Sequence, residues 1–220
     1  MIIKYFQKLE STNLSAKEMI KDGQAEHGLV IAAHEQTGGR GREGKSFFSP
    51  AGGLYMSVVL DNKEADASAL TALAAVCVCR AIEKFTQKAP VIKWVNDVFI
   101  DGLKVCGILT EAAGEKYILG IGVNFSFQDL PDDLKNIAGA IGSDIKKDEF
   151  MKYLVDSILD NRLSNKEIFD EYKRRLMGVG RMAEVFGITG IIEGIGDSGE
   201  LILRVGNEQK AIYAGSLRFL

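Results

Sequence analysis

The chain has 220 residues, of which 46 % are hydrophobic and 26 % charged, as is typical of one medium-sized globular domain with at most a small appendage. Its apolar stretches are too short to span a bilayer and its start lacks the features of a secretion signal, so we expect no membrane association and a cytoplasmic location. The net charge of −3 argues against nucleic-acid binding, and three cysteines without C-x-x-C spacing argue against a zinc site or disulfides.

The first half of the chain alternates between predicted helices and strands. Capping residues begin a short helix over residues 11–23. Alanine and leucine without internal Gly or Pro favour a long buried helix over residues 66–87. Apolar runs predict strands over residues 28–36, 52–61 and 117–125.

A β-hairpin is predicted around Asp101-Gly102, because an Asp-Gly pair between two apolar runs is the strongest short hairpin signal. A two-residue turn there pairs Lys104 with Phe99 and Cys106 with Asp97. Lys104 would then lie diagonally beside Asp97 on one face of the hairpin. We therefore expect Asp97 to orient Lys104.

The same register places Trp94 and Asn96 on the opposite face from Lys104. Asn96 can join Lys104 only if a bulge intervenes or if its side chain reaches around an edge. Both alternatives stay open at the level of the sequence.

The second half of the chain changes its periodicity near residue 178. Two amphipathic helices are predicted over residues 147–177, divided near Ser164-Asn165. Short alternating segments separated by Gly, Asp and Asn follow and are typical of a small β-barrel. The predicted fold class is therefore α+β, with one domain over residues 1–178 and a small C-terminal barrel over residues 179–220.

Residues 38–48, GGRGREGKSFF, match the strings of two phosphate-binding loops, G-x-G-x-x-G and G-x-x-x-x-G-K-S. Both loops need a helix immediately afterwards, since its N-terminal N–H groups hold the phosphates. Pro50 and the glycines at 52–53 disfavour such a helix. We therefore reject both interpretations.

The basic residues of this loop, Arg40, Arg42 and Lys45, permit two interpretations. The loop could close around a polyanion and bring planar guanidinium groups to it. It could equally be a solvated basic loop.

Several ordered motifs are similar to those of the catalytic module of biotin protein ligases, also called biotin–[acetyl-CoA-carboxylase] ligases. They are GRGREGKSFFSP and KWVNDVFIDGLKVCGILTE, together with ESTN, GIGVNF and GSLRF. The resemblance implies a mixed-sheet domain of the biotin/lipoate ligase superfamily and a C-terminal barrel resembling an SH3 domain. It also implies ATP-dependent activation of biotin as biotinyl-5'-AMP, followed by transfer of biotin to a lysine.

The resemblance assigns site residues position by position. Those expected to bind biotin are Ser11, Thr12, Asn13, Gln36, Arg40, Gly41, Arg42, Lys104 and Gly107. Those expected to bind ATP are Arg42, Asn96, Lys104 and Asn124, and the expected catalytic residues are Arg40, Arg42, Asp97 and Lys104. Gly107, Gly120 and Gly122 would allow the strand backbone to approach the ligand.

Three positions depart from the family pattern. Lys45 stands in place of an Arg, so a direct phosphate contact by Lys45 is doubtful, because lysine lacks the bidentate fork. Phe47 stands in place of a Trp and keeps an apolar ring. Val95 stands in place of a Pro and suits a strand.

The resemblance also implies partners: biotin and ATP as substrates, Mg²⁺, and the biotin carboxyl carrier domain of acetyl-CoA carboxylase or a related carboxylase. The magnesium ligands are unknown from the sequence, and a homodimer is compatible with the fold. The alternatives are a lipoate ligase or octanoyltransferase of the same fold, and a non-catalytic regulator. Only ten residues precede Ser11, so we expect no DNA-binding domain and no DNA partner.

Overall fold

The fold contains two β-sheets and four α-helices in a computed structural model that describes residues 2–62 and 66–220. The larger sheet holds seven strands, β1 (Ile2–Leu9), β2 (Leu29–Gln36), β3 (Gly53–Asp61), β4 (Val91–Lys93), β5 (Asp97–Ile100), β6 (Leu103–Ala113) and β7 (Lys116–Asn124). Their order is β1-β2-β3-β7-β6-β5-β4. Only the β1–β2 pair is parallel among the described pairings, so the sheet is mixed.

The helices are α1 (Thr12–Lys21), α2 (Ala67–Phe85), α3 (Lys147–Leu159) and α4 (Asn165–Arg174). A second, antiparallel sheet holds β8 (Met182–Val185), β9 (Ile188–Ile195), β10 (Leu201–Val205), β11 (Glu208–Ile212) and β12 (Arg218–Phe219), in the order β11-β10-β9-β8-β12. The predicted α+β class and the C-terminal β-domain are therefore confirmed. The boundary near residue 178 falls between the two sheets, but one apolar core includes residues of both, and the division into two domains stays a prediction.

Helix α2 forms the centre of the core between the large sheet and the helices α3 and α4. Asp66 caps its start by accepting a hydrogen bond from the Ser68 N–H at 3.1 Å. Ser164 and Glu167 form a capping box that begins α4. Because this cap begins a new helix at Asn165, the amphipathic segment over residues 147–177 divides into α3 and α4 near Ser164-Asn165, as the sequence predicts. No helix in the described residues is long and apolar enough to span a membrane.

Charged side chains join α2 to α4 at the surface of the core. Arg80 and Arg175 both donate to the Glu171 carboxylate, and Arg175 also pairs with Glu83. Burial raises the pKa of Glu171, but the hydrogen bonds from the two arginines outweigh it, so that pKa lies below its usual value. Helix α4 is thereby fixed against α2, and it carries Tyr172 towards the site described below.

The three cysteines are free and buried. Burial raises the pKa of both Cys77 and Cys79 to about 12, and it raises the pKa of Cys106 well above its usual value. The thiols are therefore protonated at neutral pH and act as packing groups, as the sequence predicts.

Strand β1 is missing from the predicted elements, because it is an edge strand with polar and apolar residues exposed together. Its Ile2 and Tyr5 side chains are 64 % and 48 % exposed. Neither alternation nor a continuous apolar run therefore distinguishes it from a loop.

Candidate active site

A cavity of about 520 Å³ lies between the large sheet, the loop after β2 and the C-terminal residues of the second sheet. It brings together almost all of the site residues expected from the sequence: Ser11, Thr12, Asn13, Gln36, Arg40, Gly41, Arg42, Asn96, Asp97, Lys104 and Gly107. Asn124 is the exception. Its buried side chain donates to the carbonyls of Gly139 at 3.1 Å and Lys104 at 3.4 Å, so it supports the backbone that carries Lys104.

The predicted hairpin forms, with Asp101 and Gly102 both in the left-handed region, at φ 50° and 81°. Lys104 pairs with Phe99 as expected, but Cys106 pairs with Val98. The expected pairing of Cys106 with Asp97 is wrong, because Val105 is an extra residue that forms a bulge in β6.

The bulge explains how β6 faces the cavity. Lys104 and Gly107 both line it, which strict alternation would not allow for residues three apart. Gly107 now stands opposite Asp97. The Asp97 Oδ1 atom lies 2.7 Å from Lys104 Nζ, so the predicted contact between these two side chains is present despite the shifted register.

Residues 94–96 form a turn between β4 and β5 rather than part of a strand. Val95 therefore lies in a turn, so its suitability for a strand plays no part here. The turn is fixed on both sides: the Trp94 indole N–H donates to the Gly199 carbonyl at 2.9 Å, and the Tyr172 hydroxyl donates to the Val95 carbonyl at 3.1 Å. This turn brings Asn96 to the cavity, where its Nδ2 donates to the Ile108 carbonyl at 2.6 Å.

The glycine-rich loop, residues 37–48, covers the cavity and is called the flap below. No helix follows it before β3 begins at Gly53, so the rejection of both phosphate-loop interpretations is confirmed. Instead the Gly41 N–H donates to the Lys45 carbonyl at 2.7 Å, and the Phe47 N–H donates to the Gly39 carbonyl at 2.8 Å. The flap thus doubles back on itself.

The flap contacts the C-terminal residues of the second sheet. Arg42 Nη1 donates to the Gly215 carbonyl at 3.3 Å and lies 3.4 Å from Asn96 Oδ1. Lys45 Nζ donates to Ser216 Oγ at 3.1 Å, and the Ser216 hydroxyl donates to Glu43 Oε2 at 3.0 Å. Arg42 and Lys45 therefore both join the flap to residues 215–216, and both line the cavity together with Arg40.

The Phe47 ring lines the cavity and lies against Gly107 and Gly122. A Cβ atom at Gly107 would come within 2.9 Å of this ring, and one at Gly122 within 2.6 Å. Glycine at these two positions gives the space that the ring needs. The ring also lies 5.6 Å from Lys104 Nζ, which makes it a cation–π partner of the ammonium group.

One end of the cavity is polar but mostly uncharged. Ser11 is 2 % exposed and caps nothing, and its hydroxyl makes no hydrogen bond to a described residue. Thr12 donates its backbone N–H to Gln36 Oε1 at 2.9 Å. Gln36 Nε2 donates one hydrogen to Ser49 Oγ at 3.0 Å, which leaves its second hydrogen for a ligand.

Asn13 makes its contacts with the protein. Its Nδ2 donates to Glu111 Oε2 at 2.8 Å and lies 3.4 Å from the Leu109 carbonyl, while its Oδ1 accepts from Ser57 Oγ at 2.5 Å. A Cβ at Gly120 would come within 2.3 Å of the Asn13 side chain, so Gly120 makes room for it. The expected contact of Asn13 with biotin stays a prediction.

Glu111 and Lys93 are two residues near or in the cavity that the sequence-based interpretation does not include. Burial raises the pKa of Glu111, but hydrogen bonds from Lys17 and Asn13 outweigh it, and the pKa lies below its usual value. Burial lowers the pKa of Lys93, whose Nζ lies 5.7 Å from the centre of the Phe99 ring. Lys93 and Glu111 are the first and last residues of the motif KWVNDVFIDGLKVCGILTE, but the sequence-based interpretation assigns neither of them a role in the site.

The cavity also carries a concentration of positive charge along its lining. Arg40, Arg42, Lys93 and Lys104 line it, and Asp97 is the carboxylate paired with Lys104. Such an arrangement suits an anionic ligand with an uncharged polar head. Among residues 2–62 and 66–220, no three His, Cys, Asp or Glu side chains are grouped to hold a metal ion.

Residues 5–127 match the sequence model of the biotin/lipoate A/B protein ligase family. The bifunctional ligase/repressor BirA of Bacillus subtilis is 31 % identical over 97 % of this chain and 72 % of its own length. The biotin–[acetyl-CoA-carboxylase] ligase of Mycobacterium tuberculosis is 27 % identical over 94 % of this chain and 85 % of its own length.

Solved structures are similar over the whole chain. The biotin protein ligase of Aquifex aeolicus, in complex with biotin and ATP, has a TM-score of 0.92 and 28 % identity, covering 100 % of this chain and 99 % of that one. The chain therefore belongs to the biotin/lipoate A/B protein ligase family.

Proposed function

We propose that the protein is an ATP-dependent biotin–[acetyl-CoA-carboxylase] ligase. The observation that carries this proposal is one cavity lined both by cations and by the uncharged hydrogen-bonding groups of Ser11, Thr12 and Gln36. Biotin has the matching form, with a carboxylate at one end and a neutral cyclic urea at the other. The relatives named as biotin ligases, and the Aquifex aeolicus complex with biotin and ATP, support the same conclusion.

The first half-reaction joins two anions. An oxygen of the biotin carboxylate attacks the α-phosphorus of ATP, the bond from that phosphorus to the bridging oxygen breaks, and pyrophosphate leaves. A carboxylate is already ionised at neutral pH, so this step needs no general base. It needs cations that bring the anions together and stabilise charge on the phosphate, and we assign this task to Arg40, Arg42 and Lys104. Mg²⁺ enters as the counter-ion of ATP, held mainly by phosphate oxygens and water.

In the second half-reaction, the amine of a carrier lysine attacks the activated carbonyl carbon, AMP leaves, and the nitrogen loses a proton. We propose that the acceptor is the biotin carboxyl carrier domain of acetyl-CoA carboxylase or a related carboxylase. We also propose that the reaction takes place in the cytoplasm, supported by three free thiols. The exposed edge strand β1 is compatible with a homodimer, and the net charge of −3 gives no support for a DNA partner.

Pyrophosphate release from Mg-ATP tests this function. We expect release to depend on biotin, with kcat/KM for lipoate or octanoate lower on the order of 10⁴-fold, because neither provides partners for the hydrogen-bonding groups around Thr12 and Gln36. Addition of a carrier domain should then yield a biotinylated lysine, detected by mass spectrometry. Release with lipoate alone would instead favour a lipoate ligase, and release with none of the three acids would refute the proposal.

Asp97 is proposed to orient Lys104 and to help accept the proton from the incoming lysine, whose free pKa is about 10.4. The 2.7 Å contact with Lys104 Nζ supports the first role. Asp97→Asn keeps the shape and removes the charge, so we expect transfer to the carrier to slow by about 10²-fold and adenylate formation to slow less. Single-turnover assays of each half-reaction measure the two effects separately. Wild-type rates in both would contradict both roles.

A further inference from the structure

A chain of hydrogen bonds links the Glu111 carboxylate to the polar end of the cavity. Glu111 accepts from Lys17 Nζ at 2.6 Å and from Asn13 Nδ2 at 2.8 Å. Asn13 Oδ1 then contacts Ser57 Oγ at 2.5 Å, and Ser57 Oγ lies 2.8 Å from Thr12 Oγ1. Ser57 is fully buried in an otherwise apolar strand, β3. The links come from three elements, α1, β3 and β6.

The direction of each hydrogen bond in this chain follows from the carboxylate. An ionised carboxylate can only accept, so Asn13 must direct its nitrogen at Glu111 and its oxygen at Ser57. That amide oxygen can only accept as well, so the single hydroxyl proton of Ser57 goes to Asn13. Ser57 Oγ is then free to accept from Thr12, which leaves the lone pairs of Thr12 Oγ1 without a donor from the protein.

Thr12 lines the cavity, so its oxygen is held ready to accept a hydrogen bond from a ligand. Gln36 Oε1 accepts the Thr12 backbone N–H at 2.9 Å and lies 3.2 Å from Thr12 Oγ1, whose single proton is already given to Ser57. Gln36 Nε2 keeps one hydrogen that it can donate to a ligand. The polar end thus presents an acceptor next to a donor. A cyclic urea has N–H donors next to a carbonyl acceptor and is complementary to this arrangement.

We propose that Glu111 is a positioning residue for substrate recognition, which acts through Asn13 and Ser57 to hold Thr12 Oγ1 as an acceptor for a ring N–H of biotin. This inference rests on the proposed biotin ligase function. Lys17 contributes by keeping the carboxylate ionised next to Asn13. Gly120 contributes by leaving space for the Asn13 amide.

Glu111→Gln is the sharpest test, because it changes one oxygen to a nitrogen at nearly constant shape. Lys17 can only donate, so it takes the oxygen of the new amide, and the amide nitrogen then faces Asn13. Asn13 has to turn its oxygen towards residue 111 and its nitrogen towards Ser57. The Ser57 proton then goes to Thr12 Oγ1, which occupies one of its two lone pairs and turns the Thr12 proton away from Ser57, so this oxygen becomes a poorer acceptor for the ligand.

The experiment is a double-mutant cycle with Thr12→Val, measured as the Kd for biotin without ATP by calorimetry. We expect Glu111→Gln and Thr12→Val each to weaken binding by about tenfold, the value of one hydrogen bond. The double variant should also be weaker by about tenfold rather than by the product of the two effects, because Glu111 acts through Thr12. The kcat at saturating biotin and the KM for ATP should not change.

Two controls make the result specific. Asp61→Asn alters a comparable carboxylate–lysine pair with Lys116, far from the cavity, and should leave the Kd unchanged. Ser57→Ala breaks the same chain one link later and should be non-additive with Thr12→Val in the same way, which gives a second route if Glu111→Gln folds poorly. Additive effects in both cycles, or an unchanged Kd in Glu111→Gln, would overturn the inference. Failure of the wild-type protein to bind biotin would refute the proposed function instead.

Discussion

Replacement of Lys104 by glutamine is expected to slow adenylate formation by about 10²–10³-fold, the usual cost of removing one well-placed donor to a charged transition state. Lys104 lies between Asp97 and the flap, and its backbone is held on both sides. The Lys104 N–H donates to the Ile137 carbonyl at 2.8 Å, and the Lys104 carbonyl accepts from the Gly139 N–H at 2.8 Å. The ammonium group is therefore fixed before substrates bind, and little reorganisation is needed during the reaction.

Pre-steady-state measurement of pyrophosphate release at saturating biotin and ATP separates this effect from weaker binding. Lys116→Gln is the matched control. Lys116 forms an ion pair with Asp61 and has a side-chain exposure of 24 %, against 26 % for Lys104. Lys116 begins β7 and does not line the cavity. Its replacement should leave the rate unchanged. A rate for Lys104→Gln within about threefold of wild type, against the expected 10²–10³, would remove Lys104 from the catalytic residues.

Local signals in the sequence predict the hairpin that carries Lys104. Asp-Gly requires a two-residue turn, and that turn alone determines the pairing of Lys104 with Phe99. The bulge at Val105 could not be predicted, because it depends on how β6 packs between β5 and β7 rather than on any residue type in the strand. The sequence left open how Asn96 could lie on the same side as Lys104. In the structure Asn96 reaches the cavity from the turn over residues 94–96, and the bulge in β6 shifts the register next to it.

The residues that the sequence-based interpretation misses share a different property. Ser57 stands in a mainly apolar strand, Glu111 ends the motif KWVNDVFIDGLKVCGILTE, and their contacts with Asn13 span 44 and 98 residues of sequence. A polar residue in a strand usually faces solvent, so only the folded structure shows that these two meet at Asn13. The position of Lys93 in the cavity lining is likewise visible only in the folded structure, where the turn over residues 94–96 follows it. The motif contains Lys93 and Glu111, but which side chains they contact becomes visible only in the folded structure.

Arg42 is expected to act on both half-reactions, because it is the flap residue that joins three parts of the cavity. Its guanidinium contacts the Gly215 carbonyl and Asn96 Oδ1 from the flap, and it lines the cavity beside Lys104. A planar guanidinium can bridge a carboxylate and a phosphate at once. Arg42→Ala should therefore slow adenylate formation by about 10²-fold and release whatever biotinyl-5'-AMP forms, since the flap loses both an anion contact and its link to the second sheet.

Retention of the adenylate can be measured by forming it with labelled biotin, adding excess unlabelled biotin and ATP, and following the bound label. Arg42→Lys keeps the charge without the fork, and we expect it to recover part of the rate but not the retention, because a single ammonium cannot bridge two anions and the flap contacts together. Arg204→Ala is the control. Arg204 pairs with Glu193 on the second sheet at 2.9 Å and does not line the cavity, so formation and retention should both stay at wild-type values. Unchanged formation and unchanged retention in Arg42→Ala would show that the flap closes over the adenylate without this guanidinium, and would leave Lys45 and Ser216 as the contacts that hold it.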